Sequence, residues 1–247
     1  MPTVTARPLR TLFSLGALAL ALGCSDPPLE QVDAGSIPVP DLAADMTPAA
    51  HPRCELPFDQ RAIAQVSTGA VTVTQSPGDP STWSAEVDAT AGGSMAYDKN
   101  PFVYLDLIKR TKVDVDDVQA QTSKGWDLAL KRWQIKVNSG DSGPGGVTVA
   151  RVAGKNLSEV TAAPASGYAA DTYFDEKCNL VQDPIGGLGT ALSDWYGYDM
   201  DTMRLAPNKE VLVLPRRDGQ GHIKVQITSY YKGTVSGNFT LSWSYLP

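Results

Sequence analysis

A group of aromatic residues and two methionines near the C-terminus is the part of the sequence best suited to bind a ligand. The segment 194–203, "DWYGYDMDTM", carries three aromatic side chains together with Met200 and Met203, and its turn residues predict a loop rather than a strand. Thioethers are ligands for soft metal ions and haem iron, and aromatic side chains line sites for flat apolar molecules. An ordinary β core, in which aromatic cross-strand pairs are common, is the alternative interpretation.

Histidine offers little for metal binding in this chain. His51 and His222 are its two histidines, and neither belongs to an HxH, HExxH or Cys/His cluster of the kind that holds zinc. His222 precedes the apolar positions Ile223 and Val225 of a predicted strand, so its side chain points away from their face. This placement fits a surface residue, and a role as a ligand stays open as the alternative.

Ser142 is a third candidate for chemistry, in the segment "GDSGPGG" at 140–146. The order Gly-Asp-Ser-Gly also surrounds the nucleophile of trypsin-like serine proteases, whose glycines direct backbone N–H groups at an oxyanion. Here Pro144 interrupts the glycine pair, and His51 stands in a linker, so no base is positioned for the serine. We therefore predict a loop between two strands and a protein that is not an enzyme.

The N-terminus has the form of a lipoprotein signal sequence. Arg7 and Arg10 precede the apolar run "LFSLGALALAL", which is shorter than the roughly 20 residues that cross a bilayer. The "ALGC" that ends it resembles a lipobox, in which the cysteine, here Cys24, is acylated after cleavage. We predict a signal peptide at 1–23 and, because Ser25 follows the cysteine, a lipid anchor in the bacterial outer membrane, on its periplasmic or cell-surface face.

The segment that follows predicts a tether and an acidic mature protein. Residues 24–53 comprise the lipidated cysteine and a disordered linker, which is rich in Pro, Ala and Asp and has no apolar period. Cleavage removes two arginines and no acidic residue, so the formal net charge changes from −6 to −8. An acidic chain without a basic block repels phosphate backbones, so nucleic acid is not expected as a partner. The folded domain is then 54–247.

This domain contains Cys54 and Cys178. In an exported, oxidising compartment two thiols most simply form one disulfide, which would constrain the unfolded chain. Two free buried cysteines are the alternative. Neither residue has the CxxC spacing of a metal or redox site.

The domain alternates apolar and polar residues over short runs separated by Gly, Pro, Asn and Asp. Such runs, with β-branched and aromatic residues, predict an all-β domain of antiparallel sheets. In the run 126–137 the apolar positions change from even numbers to odd ones, which predicts a β-bulge within one strand. Helix is expected at 113–122 and in a turn at 157–160. The predicted strands cover 70–74, 81–88, 102–108, 126–137, 146–152, 210–214, 223–231 and 238–246.

The segment "GWDLALKRWQIKVNSG", residues 125–140, resembles the hallmark of the HmuY family of bacterial haem-binding lipoproteins. In that hallmark a Trp-Asp-aliphatic-Ala strand leads to an aromatic residue and then to Asn-Ser-Gly. Other segments follow in the family's order and together cover most of 84–247: "FVYLDL" before the hallmark, then "GGVTVARV" and "SEVTAAPASGYAAD", and finally "WYGYDMDTMRLAPNKEVLVLPRRDGQGHIKVQITSYY".

The resemblance implies an exported β domain that binds haem at one end of its sheets, for iron acquisition, and passes it to a TonB-dependent outer-membrane receptor. Family members ligate the iron through two side chains, either histidines or methionines. Because the domain has a single histidine, the resemblance nominates Met200 and Met203 as the cofactor-binding, iron-ligating residues, with Met95 or His222 as alternatives. A non-haem surface module that presents the aromatic loops to a protein or a glycan is the other function left open.

Overall fold

The structure of this chain, a computed structural model, describes residues 54–57, 60–183 and 185–247. The predicted signal peptide, Cys24, the linker and His51 lie outside the described residues. Within them, no helix has the length and apolarity needed to cross a membrane.

The described residues form antiparallel strands with very little helix, which confirms the predicted all-β class. The predicted helix at 113–122 contracts to the single turn α1, Asp117–Ala120, and the other helical turns are the 3-10 segments Tyr97–Lys99, Gly140–Ser142 and Leu157–Glu159. The strands are β1 Val71–Ser76, β2 Asp79–Asp88, β3 Val103–Asp106, β4 Thr111–Val113, β5 Leu128–Lys131, β6 Gln134–Val137, β7 Ala150–Ala153, β8 Tyr196–Asp199, β9 Arg204–Pro207, β10 Glu210–Pro215, β11 His222–Lys232 and β12 Val235–Leu246.

Two sheets face each other around the core. The larger has the order β1-β2-β12-β11-β10-β7, the smaller has the order β4-β3-β5-β6, and β8 and β9 form a separate hairpin. Alternate residues of both sheets point inwards and bury their apolar side chains between them, which is the main stabilising contribution of such a sandwich. The inward residues of the core include Val87, Val103, Leu105, Leu128, Leu130, Ile135, Val137, Leu212, Val225, Phe239, Leu241 and Trp243.

The predicted β-bulge at 126–137 is wrong, because the run is not one strand. The chain turns back after Lys131, and Arg132 and Trp133 form the two-residue connection of the β5–β6 hairpin. Pairing across such a turn joins an even-numbered residue to an odd-numbered one, as in Leu128 with Val137. The change from even to odd apolar positions is therefore explained by a hairpin. The even-numbered apolar residues of β5 and the odd-numbered ones of β6 point to the same face of the sheet.

A disulfide joins Cys54 to Cys178, whose Cα atoms are 5.3 Å apart and whose positions differ by 124 in the sequence. It fastens the start of the described domain to the turn that contains Cys178. A cross-link over a loop of this length lowers the entropy of the unfolded chain by an amount worth about 4–5 kcal/mol in the chain-entropy treatment.

An ion-pair network joins the two sheets at the end where β12 terminates. Asp127, just before β5, accepts hydrogen bonds from Leu107 N (2.7 Å) and from Arg217 Nε (2.6 Å). The same guanidinium lies 3.0 Å from the carboxylate of Asp106 at the end of β3. Since Arg217 follows β10 of the larger sheet, this cluster connects one sheet to the other.

Candidate functional site

Four connections of the chain meet at the other end of the sandwich. Ala89, after β2, accepts a hydrogen bond from Arg132 N (2.7 Å) of the β5–β6 turn and donates one to Gly237 O (2.8 Å) on β12. The β8–β9 hairpin reaches the same place, where Arg204 Nη2 donates to Gly233 O in the β11–β12 turn (3.4 Å). Loops from both sheets therefore surround this end.

This end is rich in aromatic side chains. We call it the aromatic end and define it by the rings of Tyr97, Trp133, Tyr196, Tyr230 and Tyr231. Tyr97 lies against Trp133, with ring centroids 5.4 Å apart, and Tyr230 lies against Tyr231 at 5.0 Å. Leu205 N donates to Tyr231 Oη (3.0 Å), which attaches β9 to β11. Trp195 of segment 194–203 joins this group, because its ring contacts those of Tyr196 and Tyr230, whereas Tyr198 of the same segment is exposed.

The prediction of a loop at 194–203 is wrong in part, because Tyr196–Asp199 is the strand β8. It pairs with β9 from Tyr196 opposite Pro207 to Asp199 opposite Arg204. The four residues between the strands, Met200 to Met203, form the turn that the sequence predicted. The hairpin displays this turn away from the sandwich.

Two buried hydrogen-bond donors of the aromatic end have no acceptor among the described residues: Arg132 Nε and Tyr196 Oη. The other guanidinium nitrogens of Arg132 donate to Ser236, to its O at 3.2 Å and to its Oγ at 3.1 Å. Burial, with the nearby Asp183 carboxylate, raises the pKa of Tyr196 to about 12, so its hydroxyl keeps its proton at neutral pH. Leaving such a donor unpaired costs about 1–3 kcal/mol. Both atoms are covered in this structure, so a ligand with carboxylate groups would satisfy them only when the surrounding loops open.

The candidate methionines are exposed at this same end. Met200 and Met203 each expose 76% of their surface, and Met95 exposes 90%. Met95 lies in the connection after β2, two positions before Tyr97, whose ring contacts Trp133. Among the described residues, no group of three or more His, Cys, Asp or Glu side chains could hold a metal ion. Met95, Met200 and Met203 present thioethers at this end, and thioether sulfur can ligate soft metal ions.

His222 is not part of this group. It begins β11, whereas Tyr231 lies near the end of that strand. Nine positions of extended strand span about 30 Å, which places His222 at the far end of the sandwich. Its ring lies near that of Tyr168 instead, with centroids 5.9 Å apart. The structure therefore does not bring His222 together with Met200 and Met203.

Ser142 is buried in the connection from β6 to β7, strands that belong to different sheets. Its hydroxyl is hydrogen-bonded to the carboxylate of Asp171 and to the hydroxyl of Tyr173. Asp171 also accepts from Val137 N and Ala191 N, both at 2.9 Å. The Gly-Asp-Ser-Gly segment thus contributes to a buried polar cluster, and its serine exposes 6% of its surface.

This cluster predicts a pH dependence of stability. Burial raises the pKa of Asp171 from 3.8 to about 6 in the folded protein, against the opposing effect of its hydrogen bonds. The folded state then holds the proton of Asp171 more tightly than the unfolded state does, so binding of this proton stabilises the fold. The stabilisation is complete below about pH 4 and is lost as the pH rises through about 6. The unfolding free energy of the wild type relative to Asp171→Asn should fall across that range, by up to roughly 3 kcal/mol. Urea unfolding at several pH values checks this, and a difference that stays constant or rises with pH would contradict it.

Two cavities border the aromatic end. One of about 70 Å³ is lined by Ala89–Gly92 and Asn100. Another of about 160 Å³ lies beside Tyr231 and Phe239. Pockets for small molecules and cofactors usually have about 300–1,000 Å³. A third cavity, of about 420 Å³, lies away from this end on the outer face of the larger sheet, where Lys224 and Gln226 line it.

Comparisons with solved structures find distant similarity. A candidate lipoprotein of Bacteroides fragilis is 21% identical, with a TM-score of 0.46 over 68% of this chain and 92% of its own. A candidate HmuY-like haem-binding protein of Bacteroides vulgatus is 19% identical, with a TM-score of 0.48 over 73% and 97%. The apo form of an HmuY analogue from Tannerella forsythia is 15% identical, with a TM-score of 0.47 over 74% and 98%. No curated protein sequence matches the chain.

Family membership follows from the sequence itself. The family model described as "HmuY protein" matches residues 98–245, which is more than half of the chain. The match begins before β3 and includes the β5–β6 hairpin, the β8–β9 hairpin and nearly all of β12. The chain belongs to the HmuY family.

Proposed function

We propose that this protein binds haem at its aromatic end, as a lipid-anchored carrier that captures haem for iron acquisition and delivers it to an outer-membrane receptor. The observation that carries the proposal is the juxtaposition of exposed thioethers with two buried donors, Arg132 Nε and Tyr196 Oη, at one end of the sandwich. The anchor is supported by the lipobox-like "ALGC" that ends in Cys24. We assign the protein no catalytic step.

The side chains of the aromatic end fit the chemistry of haem. The rings of Tyr97, Trp133 and Tyr231 offer apolar surface to a flat macrocycle. When the loops that cover them open, Arg132 and Tyr196 would donate hydrogen bonds to carboxylates, which haem carries as its propionates. When bound, haem would supply the iron that a thioether can ligate, and a thioether ligand favours the reduced state of that iron.

Met200 and Met203 are the proposed iron ligands, and their position limits how they act. They lie at the two ends of one four-residue turn, so they approach a ligand from the same side. We therefore propose that one thioether of this turn, together with Met95, whose loop borders the same end, would hold the haem iron.

The small cavities of this end indicate how haem would be held. Neither the 70 Å³ nor the 160 Å³ cavity accommodates a macrocycle. Haem would therefore lie between the exposed loops, where apolar contact would supply most of the affinity and a thioether would add orientation.

A haem titration that follows the Soret band tests this proposal. Met95→Leu should weaken binding roughly tenfold without abolishing it, and so should Met200→Leu or Met203→Leu, whichever of the two removes the ligating thioether. The loss should be larger for reduced than for ferric haem. His222→Ala, at the other end of the sandwich, is the matched control and should bind as the wild type does. If the wild type shifts the Soret band in neither redox state, the proposal fails.

The small cavities also favour a second candidate, a surface module that presents the aromatic loops to a protein or a glycan. Unchanged haem spectra together with a partner whose binding is lost in Tyr198→Ala, an exposed residue of β8, would support it.

A further inference from the structure

The turn of the β8–β9 hairpin brings two thioethers together. Asp199 and Arg204 are the last paired residues of the hairpin, so Met200 and Met203 follow them at the two ends of the turn. Residues that close such a turn have Cα atoms within about 7 Å of each other. The turn is held by Asp199, whose Oδ1 accepts Asp201 N (2.9 Å) and Thr202 N (3.2 Å). Two unbranched side chains can therefore direct their sulfur atoms to one point.

The exposure of these side chains is unfavourable for folding. Methionine usually fills gaps in a core, whereas Met200 and Met203 each expose 76% of their surface. Met203 also has a φ of +52°, a left-handed conformation that Gly or Asn adopts more readily. An apolar residue at an exposed and strained position makes no contribution to the core that would explain it. Unfavourable local conformations of this kind concentrate at ligand sites.

The surroundings of the turn suit a soft cation. Neutral thioether sulfur prefers Cu(I) to hard ions such as Mg²⁺ or Ca²⁺. Asp199 and Asp201, the neighbours of Met200 in the sequence, are exposed and add negative potential to the turn. The neighbouring cation, Arg204, lies over the ring of Tyr231 at 3.9 Å from its centroid, which keeps its charge directed towards the sandwich.

The geometry points to a metal site at the tip of this hairpin, in which Met200 and Met203 together chelate one soft monovalent ion, Cu(I) or its analogue Ag(I). The site requires both sulfurs from one turn, whereas haem ligation in the proposed function uses one thioether of the turn. The inference therefore goes beyond that function and does not rest on it.

Calorimetric titration with silver nitrate in chloride-free buffer tests the site, because Ag(I) needs no reductant. The full chain carries Cys24→Ser, so that with Cys54 and Cys178 bonded to each other no free thiol competes. We expect one Ag(I) per chain, bound roughly tenfold or more weakly after either Met200→Leu or Met203→Leu. Val118→Ala, which changes an exposed apolar side chain outside the turn, is the matched control and should leave the affinity unchanged, and Zn(II) should not bind at the turn.

Leucine is close to methionine in volume and both positions are exposed, so the variants should fold; their near-ultraviolet circular dichroism verifies this. The inference is overturned if the double variant Met200→Leu/Met203→Leu binds Ag(I) as tightly as its parent, or if the parent does not bind. A haem titration of the same samples distinguishes the two proposals. Binding of Ag(I) without binding of haem would support the metal site and contradict the haem proposal. Binding of haem without binding of Ag(I) would support the haem proposal and contradict the metal site.

Discussion

Replacing Asp127 by alanine is expected to lower the free energy of unfolding by about 3–5 kcal/mol, the usual cost of breaking a buried ion pair from one side. Asp127 exposes 1% of its surface and accepts hydrogen bonds from Leu107 N and Arg217 Nε. Burial raises the pKa of this carboxyl and the adjacent Arg217 opposes that effect, so the guanidinium is its main compensation. Without Asp127, both donors remain in a low-dielectric site, and Arg217 keeps Asp106 as its acidic partner there. Urea unfolding of the full chain, with its disulfide intact, measures the change.

The matched control is Asp218→Ala, one position beyond Arg217. Asp218 pairs with Arg216 at a more exposed site, so its loss should lower the free energy of unfolding far less than the loss of Asp127 does. A cost for Asp127→Ala that is as small as that for Asp218→Ala would show that the network does not hold the two sheets together.

The second large effect is expected for Trp195→Ala, which should lower the free energy of unfolding by about 3–5 kcal/mol. Trp195 exposes 1% of its surface, and its ring centroid lies 5.1 Å from that of Tyr196, 5.4 Å from Tyr230 and 5.2 Å from Phe239. Its Nε1 donates to Trp133 O at 2.7 Å. The substitution therefore leaves a cavity under the aromatic end and removes a bond that ties the β8–β9 region to the β5–β6 turn. Urea unfolding of the full chain measures this change in the free energy of unfolding.

Two variants show whether the packing of Trp195 is responsible. Tyr198→Ala removes an exposed aromatic ring from the same hairpin and should change the stability by less than about 0.5 kcal/mol. Trp195→Phe keeps part of the apolar volume and loses the hydrogen bond. Its free energy of unfolding should therefore lie between those of Trp195→Ala and the wild type. Equal stabilities for Trp195→Ala and the wild type would mean that the aromatic end is supported by other contacts.

The strand pattern was predictable because it depends on residues near each other in the sequence. Alternating apolar positions located the long strands β2, β11 and β12 to within a few residues. The β5–β6 turn was missed because Arg132 and Trp133 are not turn residues, and Arg132 adopts a φ of +52° without being glycine. Tertiary contacts, chiefly the bonds of Arg132 to Ser236, compensate for that conformation. β8 was missed because its glycine and aspartate suggested a loop.

The candidate site was predictable only in its residue types. The sequence nominated Met200 and Met203, and the structure shows that one turn carries both. The unpaired donors of Arg132 and Tyr196 had no signal in the sequence, because an atom is unpaired only with respect to neighbours that the fold brings to it. Likewise, Asp127 meets its partner Arg217 across 90 positions of the sequence, so local pattern could not indicate their pairing.

Hydrogen exchange of the full chain, with and without saturating haem, tests most directly whether the aromatic end is the binding site. We expect haem to slow amide exchange at 91–100, 131–134 and 196–207, the segments that surround this end, and to leave 107–111 and 215–221 at the opposite end unchanged. Slower exchange confined to the opposite end, or no change in the three aromatic-end segments, would contradict the placement of the site.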